Sequence, residues 1–485
     1  MSAPHILATG RCLPERVVTN EDLSRTVDTS DQWVFSRTGI HQQHFCTSET
    51  GLDLAASAAR QAMDRAGVTA AEVGVCLVGT FTPDHASPST ACLLQRELGL
   101  EEDTVCFDLN AACAGFLYGL KTAHTLLCDA SRPCALVVGA EVISRVMDHT
   151  DRNTCVLFGD GAGPASRGEG GAMSAPHILA TGRCLPDRVV TNEDLSRTVD
   201  TNDEWVFSRT GIHQRHFCMS ESGLDLAASA ARQAMDRAGI TAADIGVCLV
   251  GTFTPDHASP STACLLQREL GLEEDTLCFD LNAACAGFLY GLKTAHTLLS
   301  DAPRPCALIV GAEVISRVMD RTDRNTCVLF GDGAGAAVVR REENRTWHTV
   351  FGSRGDRSSI RVQGPGPVPS AIHMDGKAVF RFAVEVVERS IRQLLEREGL
   401  SSVNDLDLVV CHQANARIID YVAKRLNTRE GLFFKNMDRL GNTSAASIPI
   451  ALDELAEAGR LRPGMRILTV GFGGGLTWAG ALLRW

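Results

Sequence analysis

The first 163 residues of this chain recur almost unchanged as residues 173–335. MSAPHILATGRCLPERVVTNEDLS opens at Met1, and MSAPHILATGRCLPDRVVTNEDLS opens again at Met173. Aligned without gaps, the copies differ at about 14 positions, mostly by mild exchanges such as Glu15 for Asp187, Val68 for Ile240 and Glu72 for Asp244. The join, PASRGEGGA from Pro164 to Ala172, reads as a short flexible linker. Only the second copy runs on into new sequence, residues 336–485. A solenoid is excluded, because repeat arrays stack at least three units of a few tens of residues. The pattern is one larger unit preceded by a spare copy of its first half. The expected divisions are residues 1–163 for the extra copy, 164–172 for the linker, 173–340 for the first half and 341–485 for the second.

A chain of 485 residues, 45% hydrophobic and 21% charged, can bury several apolar layers. Its net charge of -12 gives no support to a nucleic-acid partner, although local Arg and Lys can still bind an anionic ligand. The 18 cysteines form neither CxxC pairs nor a Cys/His metal spacing. Many sit in apolar runs, such as Cys248 in VCLVG and Cys327 in TCVLFG, and read as small buried hydrophobes. The opening MSAPHILATG lacks a basic segment followed by a long apolar run. No stretch reaches the roughly 18 apolar residues of a membrane span. A cytoplasmic protein with reduced thiols is therefore expected.

Apolar runs bounded by Gly and Pro alternate with helical patterns throughout residues 173–485. DLAASAARQAMDRAG (225–239) predicts a helix stopped at Gly239, IGVCLVGT (245–252) a strand buried on both faces, and LCFDLN (277–282) another strand. AACAGFLYGLKTAHTLLS (283–300) predicts a mostly apolar helix. The later segment repeats the style, with helices at 380–399 and 416–427 and strands at 406–411 and 466–472. The alternation predicts an α/β layered fold with mainly parallel central strands.

Cys285 falls where LCFDLN meets the following helix, a place where free N–H groups and the helix dipole favour thiolate. Taken alone, such a cysteine is more often a packing residue. His412 follows a strand in VVCHQAN, and Asn442 occupies the polar turn LGNTSAASIP. Each alone is more often a structural histidine or a helix cap. ACAGF, HQAN and GNTSAAS in this order are far more specific. FGGGLTW (472–478) adds a glycine turn whose N–H groups could bind an oxyanion.

With ILATGRCLPDRVVTN, NDEWVFSRTGI and the close FGGGLTWAGALLRW, residues 173–485 resemble β-ketoacyl-[acyl carrier protein] synthase III. The resemblance implies the five-layer αβαβα thiolase fold, a homodimer, and condensation of an acyl-CoA primer with malonyl-[acyl carrier protein]. It implies no permanently bound cofactor, with the coenzyme A thioester as substrate. It casts Cys285 as the acyl carrier, the N–H groups of Cys285 and Gly474 as the oxyanion hole, and His412 with Asn442 as the pair stabilising the malonyl-derived enolate. Phe472 corresponds to an aromatic beside the departing carboxylate. Trp205 and Arg324 correspond to a sandwich for the CoA adenine. Thr201 and Arg209 fall in the same CoA-binding block, and Gly376, Phe380, Asn415 and Arg417 line the pantetheine tunnel or its mouth. Arg381, Arg417, Lys424 and Arg425 would form a basic rim for an acidic carrier protein, though a charged helix face is equally often only solvated.

Two departures matter. Ser259 stands where the family often has an aromatic residue reaching into the partner subunit's acyl pocket, so a roomier pocket for longer or branched acyl groups is expected. The extra copy carries Cys113, Trp33, Arg37 and Arg152 but no His–Asn pair. It is half a fold, expected to dock on copy two as a homodimer partner would and to bring Ser87 toward Cys285. Two other readings remain: a Cys-dependent acyltransferase of secondary metabolism on the same fold, and a catalytically inactive interaction protein.

Overall fold

The computed structural model describes residues 5–128, 130–165, 174–343, 347–365 and 371–485. Runs of apolar and β-branched residues make the central strands. Val73–Gly79 and Ile245–Gly251, with nearly the same sequence, are buried at every position. Among the described residues nine strands form one sheet, in the order Gly161–Ala165, Cys134–Glu141, Val73–Gly79, Val105–Asn110, Leu277–Asn282, Ile245–Gly251, Cys306–Glu313, Gly333–Glu343, Ser174–Cys184. The first four belong to copy one and the last five to copy two.

The copies meet edge to edge. Val105–Asn110 pairs antiparallel with its own counterpart, Leu277–Asn282, with Leu109 opposite Leu281. The seam is therefore a local two-fold. On either side of it Asn110 Nδ2 donates to the Ala258 carbonyl at 2.8 Å, and Asn282 Nδ2 to the Ala86 carbonyl at 2.6 Å. Helices Gly115–Leu127 and Gly287–Leu298 pack beside the seam, where Lys121 pairs with Asp301.

A second sheet, in the order Thr349–Asp356, Gly475–Arg484, Arg466–Gly473, Leu408–Cys411, lies against copy two. Helices Gly287–Leu298 and Ser447–Glu457 are sandwiched between the sheets, and their apolar residues, including Phe288, Leu289, Ile448 and Leu452, form the main core. Helix Gly223–Ala238 covers the outer face of the first sheet, and Gly376–Glu398 that of the second. Five layers, αβαβα, result. The C-terminal half also grips copy one: Ile360–Gln363 pairs with His85–Ser87 in a separate small sheet, and Gln95 Nε2 donates to the Ser353 carbonyl of the second sheet at 2.8 Å.

Among the described residues copy one has no counterpart of the second sheet, and its matching face is less covered. Leu117 is 67% exposed where its twin Leu289 is 1% exposed. Its opening residues make only an isolated bridge, Cys12 to Ala162, whereas Ser174–Cys184 is a full strand. The reason is local: the partner strand Gly161–Ala165 has five residues where Gly333–Glu343 has eleven, because the copies diverge after Gly163. Two expected boundaries also move. Pro164 and Ala165 end a strand rather than start a linker, and the rest of that linker lies outside the described residues. The division at 340 falls inside the strand Gly333–Glu343.

Candidate active site

Cys285 occupies a tight turn, Ala284–Ala286, between its strand and the helix Gly287–Leu298. Ala284 is held at φ 47°, a left-handed conformation unfavourable for a residue with a Cβ. Asn282 Oδ1 accepts the Ala284 N–H at 3.1 Å and fixes the turn. Copy one makes the same turn, with Ala112 at φ 46°, so the strand–turn–helix sequence suffices for it. Enclosure differs: Cys285 is buried and Cys113 exposed. That enclosure works against the thiolate that the helix start favours. Burial pushes the Cys285 thiol up to about 12, against the opposing pull of the Ser444 hydroxyl 3.2 Å away.

His412 follows the strand Leu408–Cys411 and extends its pairing, its N–H reaching the Val470 carbonyl at 2.8 Å. Its Nδ1 lies 2.6 Å from the Ser447 hydroxyl, whose oxygen also accepts the Gln413 N–H at 3.4 Å. With Ser447 donating to Nδ1, the ring proton sits on Nε2, the tautomer that the proposed chemistry uses. Phe472 meets the imidazole edge-on at 5.2 Å. Burial pulls His412 down to about 3, so the ring is neutral.

Asn442 is pinned at both backbone ends: its N–H donates to the Leu329 carbonyl at 2.8 Å, and its carbonyl accepts from Gly331 at 3.0 Å. Its Oδ1 accepts the Ser444 N–H at 2.9 Å, which leaves Nδ2 as the available donor. Arg215, fully buried, supports this region through the Val328 carbonyl at 2.6 Å. Copy one has Gln43 at that position and no such loop to support. The glycine turn closes over the nucleophile. A Cβ on Gly473 would lie 2.7 Å from the Cys285 nitrogen, and one on Gly474 2.3 Å from Ser87 Oγ.

Cys285, His412, Asn442, Phe472, Gly473 and Gly474 line one cleft of about 990 Å³, its open mouth included, with Trp205, Arg209, Arg324, Gly376, Phe380 and Asn415. Other expected residues sit differently. Arg324 stacks on Trp205 at 4.6 Å and Arg209 at 4.5 Å, so a purine would have to displace a guanidinium to reach the indole. The Asn415 amide is already used, capping a helix through Arg417 N–H at 2.9 Å and donating to the Arg209 carbonyl at 3.0 Å. Thr201 does not line the cleft. Arg381, Arg417 and Lys424 are exposed, and Arg425 is paired with Glu388 at 2.8 Å.

Ser259 requires a correction. It is exposed and absent from the cleft, because the segment that reaches a pocket comes from the opposite copy. Ser87, 3% exposed, is the serine beside Gly474. Sequence reasoning also passed over Ser444, Ser447 and Glu313. The two serines lay inside GNTSAASIP and read as turn formers. Glu313, a lone charge ending an apolar strand, was the available signal.

The family model described as 3-Oxoacyl-[acyl-carrier-protein (ACP)] synthase III matches residues 107–181 and again 279–355, and its C-terminal companion matches 395–485. A β-ketoacyl-[acyl-carrier-protein] synthase III of Clostridium acetobutylicum is 43% identical over 325 residues, covering 64% of this chain and 99% of that protein. The chain belongs to the 3-oxoacyl-[acyl-carrier-protein] synthase III family. The Clostridium botulinum synthase III is likewise 43% identical over 326 residues, with 64% of this chain and 99% of that protein covered. The synthase III crystal structure from Aquifex aeolicus shares 40% identity and superposes with a TM-score of 0.61, covering 64% of this chain and all of that one. The priming β-ketosynthase of the R1128 polyketide pathway shares 36% identity at a TM-score of 0.61, covering 64% of this chain and 97% of that one. The chain is thus a thiolase-fold condensing enzyme of the acyltransferase type, longer than these relatives by its repeated half. Among the described residues no helix is long and apolar enough to cross a membrane.

Proposed function

We propose that this synthase III condenses an acyl-CoA primer with malonyl-[acyl carrier protein] at the single site built on Cys285, initiating fatty-acid or related polyketide synthesis. The observation that carries the reading is the convergence of Cys285, His412 and Asn442 in one cleft, the first from copy two and the others from the C-terminal half. Cys285 sulfur attacks the acyl-CoA carbonyl, and the N–H groups of Cys285 and Gly474 hold the developing oxyanion until coenzyme A leaves. Malonyl thioester then enters with its carbonyl between His412 Nε2–H and Asn442 Nδ2–H. Both are neutral donors, suited to stabilise the enolate left as carbon dioxide departs past Phe472. The enolate carbon attacks the acyl-Cys285 thioester, forming the carbon–carbon bond and expelling the thiolate.

Trp205, Arg209 and Arg324 suit the coenzyme A nucleotide, Gly376, Phe380 and Asn415 the pantetheine arm, and exposed Arg381, Arg417 and Lys424 the acidic carrier. Copy one takes the place of a homodimer partner, and its Ser87 replaces the bulkier residue that would shorten the acyl pocket. The test compares acyl labelling and condensation in the full chain, Cys285→Ala and Cys113→Ala. Turnover is expected to vanish only in Cys285→Ala; loss in Cys113→Ala would refute a single working site.

A further inference from the structure

Glu313 ends the strand Cys306–Glu313 with its carboxylate fully enclosed behind the nucleophile. Its Oε2 accepts the Thr254 hydroxyl at 2.5 Å and the Thr252 hydroxyl at 3.2 Å, and the Phe253 N–H lies 3.3 Å from Oε2 and 3.4 Å from Oε1. Oε1 also meets the Ser444 hydroxyl at 3.2 Å, and the same hydroxyl lies 3.2 Å from Cys285 Sγ. One serine oxygen thus bridges the reacting sulfur and a buried carboxylate. Ser444 is held there in a left-handed conformation, φ 48°, between the turn carrying Asn442 and the helix Ser447–Glu457. Copy one repeats the carboxylate and its cradle, with Glu141 accepting the Phe81 N–H at 3.0 Å and the Thr80 hydroxyl at 3.2 Å. It lacks the bridge, because Ser444 belongs to the C-terminal half.

We infer that Ser444 and Glu313 form a proton relay that removes the Cys285 proton during acylation and returns it when the thiolate is expelled in condensation. The inference rests on the proposed acyl-Cys285 chemistry. A hydroxyl has one hydrogen, so the bridge has two states. With the thiol intact, Cys285 S–H donates to Ser444 Oγ and Ser444 O–H donates to the Glu313 carboxylate. Moving both hydrogens by one bond leaves a thiolate accepting from Ser444 and a protonated Glu313 donating to it. The thiolate then forms the C–S bond to the acyl carbonyl, and coenzyme A leaves as its own thiolate, to be protonated from solvent at the mouth. Glu313 keeps the proton through the acyl-enzyme stage. When the enolate carbon attacks, the C–S bond to Cys285 breaks, and the stored proton returns through Ser444 to the sulfur. No oxidant, reductant or further acid is required, and one negative charge is moved rather than a second one created in a low-dielectric site.

The neighbouring groups leave this task to the relay. Burial pushes the thiol up to about 12, so it needs a base, and the neutral His412 has its Nδ1 engaged by Ser447. Burial also raises Glu313 to about 8, within reach of working pH. The groups facing that carboxylate are Thr252, Thr254, the Phe253 N–H and Ser444, with Cys285 beyond as the titratable neighbour.

Single-turnover acylation of Cys285 by acyl-CoA, followed by mass spectrometry across pH 6–10 in the full chain, decides the matter. The wild-type rate is expected to rise through an inflection near 8 as Glu313 ionises. Glu313→Gln should lose that inflection and slow acylation by on the order of 100-fold. Ser444→Ala removes one oxygen without touching the threonine cradle, and should do the same even if Glu313→Gln fails to fold. Folded Ser444→Ala that keeps the wild-type rate and inflection would overturn the relay. Wild-type protein unlabelled at Cys285 would instead overturn the proposed function, and the relay with it.

Discussion

His412 is neutral because it is enclosed, and that has a cost outside catalysis. Its folded pKa, about 3, lies below the ordinary 6.5 that it regains on unfolding. Between those values the unfolded chain binds the extra proton, so the His412 contribution is complete above pH 6.5 and is lost as pH falls toward 3. Taking the pH from 7 to 5 should cost roughly 2 kcal/mol through this residue alone. His412→Asn cannot titrate, and urea unfolding at the two pH values should show a correspondingly smaller acid loss. An equal loss in both proteins would mean that His412 is more hydrated than its burial indicates. Cys285, His412 and Asn442, which line one cleft, stood out in the sequence because their motifs are contiguous and ordered. Ser444 and Glu313 did not, because a bridge between residues 131 positions apart depends on packing that no short window contains.

At the scale of elements, the strands and helices followed from apolar periodicity, and LCFDLN spans Leu277–Asn282 as expected. The helix after it begins later than its pattern suggests, at Gly287, because the nucleophile turn takes up Ala284–Ala286. What ties the halves together was less visible, since it is polar and long-range. Asp453, with no solvent exposure, accepts the Thr181 hydroxyl at 2.9 Å and pairs with Arg183 and Arg237, each at 2.5 Å. These contacts clamp the first strand of copy two onto the helix Ser447–Glu457. Asp453→Ala should destabilise the protein by about 3 kcal/mol, the low end for a broken buried pair because both arginines keep some access to water. Chemical denaturation measures it. A loss below about 1 kcal/mol would show that apolar packing alone holds the clamp.

For the whole molecule, the proposed function has copy one supply, within one chain, a contact that would otherwise join two. The edge of copy two at Leu277–Asn282 is already occupied by Val105–Asn110, and Ser87 already lies against Gly474. A chain shortened to residues 173–485 would expose that edge, and self-pairing would make a two-fold dimer in which Ser259 of each chain takes the place of Ser87 in the other. Pocket size should therefore answer to different residues in the two proteins. In the full chain, Ser87→Phe should shift the ratio of kcat/KM values toward acetyl-CoA and away from longer or branched acyl-CoAs by at least about tenfold. Ser259→Phe should leave the ratio unchanged, because the exposed Ser259 faces the side of copy one, which has no His–Asn pair to serve. In the shortened chain, light scattering should report a dimer, and Ser259→Phe should now impose the acetyl preference. If Ser259→Phe narrows specificity equally in the full chain, then full chains also pair with one another, and copy one does not replace the partner subunit.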